Sequence, residues 1–453
     1  MVLDAIEVLP IIRRLSLRGG EPRRQPLEVA VLKKEFIFEP PVREPGGSLL
    51  YQEHIKRTAA CHMAPFAGYV MPLWFSSISE EHKAVRRTAG LFDCTHMGVL
   101  EVSGPQALGF LQTTTTNDVS RLDVGQAQYS YVLDAAGRIL DDVIVYRQRP
   151  ECFLLVVNAS NEPKIEAYFD GLLDDRLIID QDNPERDLPY KPTLQDLRVP
   201  ALGDQGMVDI AIQGPKSLEI LEDLIDSNSL FLAQLRPFRL IETSILKIPC
   251  VISRTGYTGS AVGFELLVPP AKASPLWNLL LEKGSPKGLV PCGLGARDSL
   301  RIEAGLPLYG HELDGPYNIS PFEAGYGWAV KLDKGFFIGQ AAMKQASQDS
   351  TMQVARLQLP GGKGVRPVRA NDAVLDGKGR CIGWVLSCAA AGEDQMALAY
   401  VEKGFSAEGS PIGIYYLARN PGQIKQGKRQ AVAKGDGLEP ELRGTVLTRF
   451  AKF

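Results

Sequence analysis

From about residue 49 onward, the chain alternates between two patterns of apolar positions, one with the period of two of a strand and one with the three-and-four spacing of a helix. In EEHKAVRRTAGLFD (80–93) the spacing is helical, and Gly90 is the expected end of that helix. GVLEVSG (98–104) alternates as a strand does and closes on Ser-Gly-Pro, and PQALGFLQTTTT (105–116) then predicts a helix that stops in a polar run. QAQYSYVLDAAGRILDDVIVYRQ (126–148) holds two alternating runs around Asp-Ala-Ala-Gly, the pattern of a hairpin. FLLVVNA (153–159) adds a buried strand and NEPKIEAYFDGLL (161–173) a helix. Residues 174–206, rich in Pro and Asp, predict a long surface excursion. In GLGARDSLRIEAGLPLYGHEL (293–313) a short helix is expected to stop at Gly305.

VLEVSGPQALGFL (99–111) and VDIAIQGPKSLEIL (208–221) share one grammar of strand, Gly-Pro turn and helix, which suggests two related subdomains. After residue 350 the pattern changes to short alternating runs broken by Gly and Pro, such as AVLDGKGRCIGWVLSC, MALAYVE and IGIYYLAR, the signature of a small all-β domain. Strands and helices follow one another without strict β-α-β alternation, so the expected fold class is α+β and not a doubly wound sheet. The expected organisation is an N-terminal extension (1–48), an interleaved α+β region (49–349) and a C-terminal β-barrel domain (350–453).

Composition narrows the function classes. With 50 basic and 53 acidic side chains, the net charge of -3 gives no general nucleic-acid or membrane signal. No apolar run approaches the roughly 18 residues of a membrane span. Seven cysteines without a Cys-x-x-Cys pair read as reduced thiols of an intracellular protein, here taken as cytoplasmic. Five histidines show no metal spacing, so no metal site is expected. The first 44 residues carry eight Arg or Lys but also seven Asp or Glu, unlike an organellar presequence, and their basic residues follow the apolar stretch instead of preceding it as in a signal peptide.

Nucleotide and nucleophile motifs are missing: no Gly-rich dinucleotide or phosphate loop and no GxSxG occurs. The candidate chemistry lies elsewhere. Asp141 and Asp142 open an apolar strand; such carboxylates are commonly a solvated strand end, but one aimed into a cleft would stabilise positive charge on a substrate. Arg297 and Arg301, four apart on a helix, are either a solvated pair or a forked clamp for carboxylates. Glu265 either caps a strand edge or pairs with adjacent donors of a fused heterocycle. His96 and Met97 are more often core residues than ligands, and Tyr129, Tyr146 and Tyr309 are core aromatics or walls for a flat ligand.

Several strings then occur in a telling order: MAPFAGYVMPLWFSS (63–77), EEHKAVRRTAGLFDCTHMG (80–98), GQAQYSYVLDAAGRILDDVIVY (125–146), SRTGYTGSAVGFEL (253–266), CGLGARDSLRIEAGLPLYGHEL (292–313) and GYGWAVKLDK (325–334). Over roughly residues 49–400 the chain resembles the T-protein, or aminomethyltransferase, family of the glycine cleavage system. The resemblance implies a three-domain cloverleaf, with two related α+β folate-binding subdomains followed by a small β-barrel and tetrahydrofolate in a central channel. It implies transfer of an aminomethyl carbon from the lipoyl arm of H-protein to tetrahydrofolate, with release of ammonia. Lipoylated H-protein and folate are then the partners. By residue, it implies that Asp142 is the catalytic carboxylate, Glu265 the pterin reader and Arg297 a folate-contacting arginine, with Met97, Tyr129, Tyr146, Asn158 and Tyr309 in the folate pocket.

The chain departs from that pattern in the extension, in the longer 174–206 insert, in the AAAGED loop (389–394) and in the tail, which ends RFAKF and lacks the family's C-terminal tyrosine. These departures are expected on the barrel and the partner-facing side and not at the folate pocket. They leave the one-carbon donor less determined than folate use. The alternatives are a tetrahydrofolate-dependent demethylase of a small S-, O- or N-methyl compound and a folate-binding maintenance protein linked to iron–sulfur assembly, the latter disfavoured by the retained Asp-Asp pair and ARDSLR.

Overall fold

The computed structural model describes residues 32–226 and 230–452, and residues 1–31 of the expected extension lie outside them. Three sheets carry the fold. The first has Gln126–Leu133, Ile139–Arg149, Cys152–Val157, Gly98–Ser103 and Thr193–Asp196 as antiparallel neighbours in that order. In the second, Leu240–Ile245, Ile248–Ser253, Gly263–Val268, Val208–Gln213 and Ala89–Asp93 are antiparallel neighbours, and Leu289–Cys292 adds a parallel edge. Six further strands, from Met352–Pro360 to Leu442–Leu447, close into a barrel, which removes their edges. The α+β class and the C-terminal barrel agree with the sequence reading.

The repeated grammar is real in space. Gly98–Ser103 leads into the helix Ala107–Thr114 in the first sheet, and Val208–Gln213 leads into Ser217–Glu222 in the second. Ala89–Asp93 precedes the first sheet in sequence but pairs with Val208–Gln213 of the second, so the chain interleaves the two. The hairpin turn is held by Asp134, whose carboxylate accepts from the Arg138 amide (2.9 Å), while Gly137 takes the left-handed conformation the turn requires (φ +80°).

Two expectations need correction. The helix in 80–93 spans Ile78–Arg87 and ends at Thr88; Gly90 lies inside the strand Ala89–Asp93. A Cβ at Gly90 would come within 2.6 Å of Val85 and of Cys292 Sγ, so this glycine allows sheet and helix to approach closely and caps nothing. Within the 174–206 excursion, Thr193–Asp196 pairs with Gly98–Ser103, and Leu188 and Leu197 are buried, so this stretch also completes a sheet edge.

Of the extension, Gly46–Gly47 pairs with Tyr69–Pro72, and Phe36 packs edge-on against Tyr168 at 4.8 Å. Among the described residues no helix is long and apolar enough to cross a membrane.

Candidate active site

A cavity of about 650 Å³ opens where the first sheet, the second sheet and the helix Leu294–Ala304 converge. That volume suits a ligand of drug-like size. Asp142, Glu265, Arg297, Met97, Tyr129, Asn158 and Tyr309 line it. Residues more than 200 positions apart in sequence therefore share one chamber.

Strand alternation places Asp142. It pairs with Tyr131 across the hairpin, so Tyr129 is its diagonal neighbour on the same face. The Tyr129 phenol donates to Asp142 Oδ2 at 2.9 Å, and Asn158 Nδ2 donates to Oδ1 at 2.9 Å. Burial and the charge of Asp142 push the Tyr129 phenol well above its usual range, which keeps it a donor. Burial also raises the Asp142 carboxyl.

Glu265 stands on Gly263–Val268, opposite Ala211 and Ser253. Its Oε2 accepts from the Thr255 hydroxyl and, at 3.1 Å, from the Tyr146 phenol. Among the described residues Oε1 accepts from no protein donor, so one carboxylate oxygen remains for a ligand. Tyr146 does not line the cavity; it is buried behind Glu265 and orients it.

Arg297 and Arg301 part company. Arg297 reaches the cavity, its guanidinium 4.9 Å from the Tyr257 ring centroid and donating to Cys94 Sγ at 3.5 Å. Arg301 is 1% exposed and binds Glu312 (2.6 Å), Asp298 (2.7 Å) and the Ser387 hydroxyl (2.9 Å). It joins the helix to the barrel strand Cys381–Ala391, so the two arginines do not form one clamp. The expected stop at Gly305 is present, with φ +84° and its amide on Ile302 O.

The cavity also has walls that the residue-by-residue reading did not single out. Tyr326 and Trp328 pack at 5.2 and 6.0 Å from Tyr129, and Phe66, Phe238 and Tyr257 line it as well. Four of these lie inside strings already conspicuous in the sequence, Phe66 in MAPFAGYVMPLWFSS, Tyr257 in RTGYTG, and Tyr326 and Trp328 in GYGWAV. His96, too, borders the cavity; its burial lowers the imidazole to about 4, so it is neutral there.

The tail overturns another expectation. Phe450 packs edge-on against Tyr326 at 5.2 Å, and Arg449, lowered to about 10 by burial, donates to Ala324 O at 2.8 Å. The departures from the family pattern, the tail among them, are expected on the barrel and the partner-facing side; tertiary packing brings the tail against a wall of the cavity.

Lys425, Lys428 and Arg429 form a basic stretch near the C-terminus, in which Lys428 pairs with Glu441 and Arg429 with Asp436.

Comparison with known proteins shows the family of the chain. The family model described as the GCVT N-terminal domain matches residues 50–334. The chain belongs to the T-protein family of aminomethyltransferases. It is 40% identical over 376 residues to an aminomethyltransferase of Symbiobacterium thermophilum, covering 82% of this chain and 93% of that protein. It is 39% identical over 366 residues to one from Streptomyces avermitilis, covering 80% and 91% of the two chains. The crystal structure of glycine cleavage system aminomethyltransferase T from Bartonella henselae superposes with a TM-score of 0.70 at 28% identity, over 89% of this chain and 97% of that one. For this family member the described cavity is the candidate active site.

Proposed function

We propose that this enzyme transfers the aminomethyl carbon of lipoylated H-protein to tetrahydrofolate, releasing ammonia, in the cytoplasm. The observation that carries the reading is one cavity lined by aromatic rings, with Asp142 on the first sheet, Glu265 on the second and Arg297 on the helix between them. Flat walls suit a pterin and a p-aminobenzoate ring. The free Oε1 of Glu265 suits a ring N–H or amino group, and Arg297 an anionic or electron-rich edge.

Folate is a substrate here. As two N–C bonds form to the carbon, its C–N and C–S bonds break, and the two folate N–H protons end on ammonia and on the departing sulfur. Asp142 orients the attacking nitrogen and takes up its proton. Its negative charge also favours the cationic carbon. Tyr129 and Asn158 hold the carboxylate in place.

The deciding experiment is a product assay with tetrahydrofolate and aminomethyl-loaded H-protein. Ammonia together with 5,10-methylenetetrahydrofolate is the expected result. Tight folate binding without turnover would favour a demethylase acting on a small methylated donor.

Glu265→Gln retains shape but replaces a charged acceptor. The Kd for tetrahydrofolate is expected to rise roughly 10- to 100-fold, since a hydrogen bond to a charged group contributes about 1.5–3 kcal/mol. Calorimetry on the folded variant checks this; an unchanged Kd removes Glu265 from pterin recognition.

A further inference from the structure

Next to Asp142 lies a carboxylate that the scheme above leaves unused. Asp141 is fully buried, and strand alternation turns it to the opposite face of the sheet from Asp142. Asn158, just past the end of Cys152–Val157, ties the two together. Its amide Nδ2 donates to Asp141 Oδ1 at 2.8 Å and to Asp142 Oδ1 at 2.9 Å, and its backbone N–H donates to Asp141 Oδ2 at 2.9 Å. Asn161 Nδ2 adds a bond of 2.6 Å to Asp141 Oδ1.

Among the described residues neither carboxylate forms a direct ion pair. The charged and titratable groups around them are few. From the helix Glu162–Leu173, Lys164 faces Asp141; its ammonium donates to the Tyr309 phenol at 2.9 Å, and Asp314 lies beyond. Tyr129, Tyr131, Tyr257, Tyr309 and Tyr326 face Asp142, and burial holds all five phenols neutral. Two carboxylates joined by one amide, with no cation in contact, cannot lose both protons independently.

We propose that Asp141 is a positioning residue for Asp142: the pair, coupled through the Asn158 amide, takes up one proton as a unit, and Asp142 receives the folate proton as half of that pair. Asp141 touches no substrate. Its amide bonds fix the strand Ile139–Arg149 that carries Asp142, and its charge strengthens Asp142 as a proton acceptor. Burial and the neighbouring Asp142 charge raise the Asp141 carboxyl to about 7, which suits proton exchange at neutral pH. The inference rests on the aminomethyltransferase reading for its role in turnover, but not for the existence of the coupled pair.

The test uses the full-length enzyme and Asp141→Asn. With tetrahydrofolate and loaded H-protein, the acid limb of the kcat profile is expected to move to lower pH by about one unit or more. At neutral pH, kcat is expected to fall roughly three- to tenfold, as for a weaker base, with KM nearly unchanged. Asn161→Ala removes one donor from Asp141 and disfavours its ionisation, so its acid limb moves the opposite way, to higher pH.

Thermal unfolding supplies a readout without turnover. A carboxyl whose folded pKa is raised binds its proton more tightly when folded, so its stabilising contribution is lost as pH rises through about 7. The wild type should lose stability from about pH 4 up to about pH 7 on this account and level off above that, and Asp141→Asn should lose less. Identical acid limbs in wild type and both variants would overturn the proposal, as would weaker folate binding or lower stability with an unchanged profile shape. If the wild type shows no folate-dependent turnover, the aminomethyltransferase reading fails, and the unfolding comparison alone decides the pair.

Discussion

Asp142→Asn is expected to lower kcat by roughly 10²- to 10³-fold, the loss that follows removal of one preorganised electrostatic group. The substitution is nearly isosteric: the amide oxygen would still accept from Asn158 Nδ2, and the amide nitrogen would donate to the Tyr129 hydroxyl oxygen. What disappears is the negative charge beside the attacking nitrogen, together with the acceptor for its proton. Both losses act in the transition state, so kcat should fall while the Kd for tetrahydrofolate changes little. Rapid-quench measurement of methylenetetrahydrofolate, with binding by calorimetry, separates these quantities. Turnover equal to wild type in a folded variant would exclude Asp142 as the catalytic carboxylate.

Glu312→Ala is expected to destabilise the fold by about 3–5 kcal/mol, because it removes the only fully buried carboxylate from a buried guanidinium and leaves it the half-exposed Asp298. Arg301 and Glu312 are 1% and 0% exposed. Glu312 also accepts from the Ser387 hydroxyl and from the Leu308 amide (3.1 Å), so one side chain ties the helix Leu294–Ala304, the loop after it and the barrel together. That loop carries Tyr309, and the helix carries Arg297, so the cavity depends on this junction. Replacing both partners by Met should restore much of the stability, since apolar side chains of similar volume remove the desolvation penalty along with the pair. Denaturant unfolding of the single and double variants checks both statements. A change of less than about 1 kcal/mol in Glu312→Ala would mean that water reaches Arg301 and screens it.

Local pattern was sufficient for much of this molecule. Alternation around Asp-Ala-Ala-Gly specifies the hairpin, because a period of two with a left-handed glycine admits little else. Gly305 marks a helix end for a similar reason: its positive φ is local. The same logic misread Gly90, where the need for glycine comes from Val85 and Cys292 across a sheet, and a one-dimensional pattern carries no information about that neighbour. For the candidate site, the long strings shared with the family pointed to Asp142, Glu265 and Arg297, and the cavity brings them together.

The sequence by itself determined the α+β class, the barrel, the family and the residue types of the candidate site, since each rests on periodicity, turn chemistry or ungapped strings. The family resemblance named Asp142 and Arg297, but periodicity alone left each pair open, and only the tertiary structure shows why one member of each faces the cavity and the other does not. Asp142 lines it while Asp141 is sealed behind amides, and Arg297 lines it while Arg301 bonds the barrel. Adjacent strand residues point to opposite faces, and a helix i,i+4 pair can be split between neighbours that arrive from distant parts of the chain. The same reason explains Tyr146 behind Glu265 and Phe450 against Tyr326: burial and partners are set by which elements pack together, and that is a property of the fold as a whole.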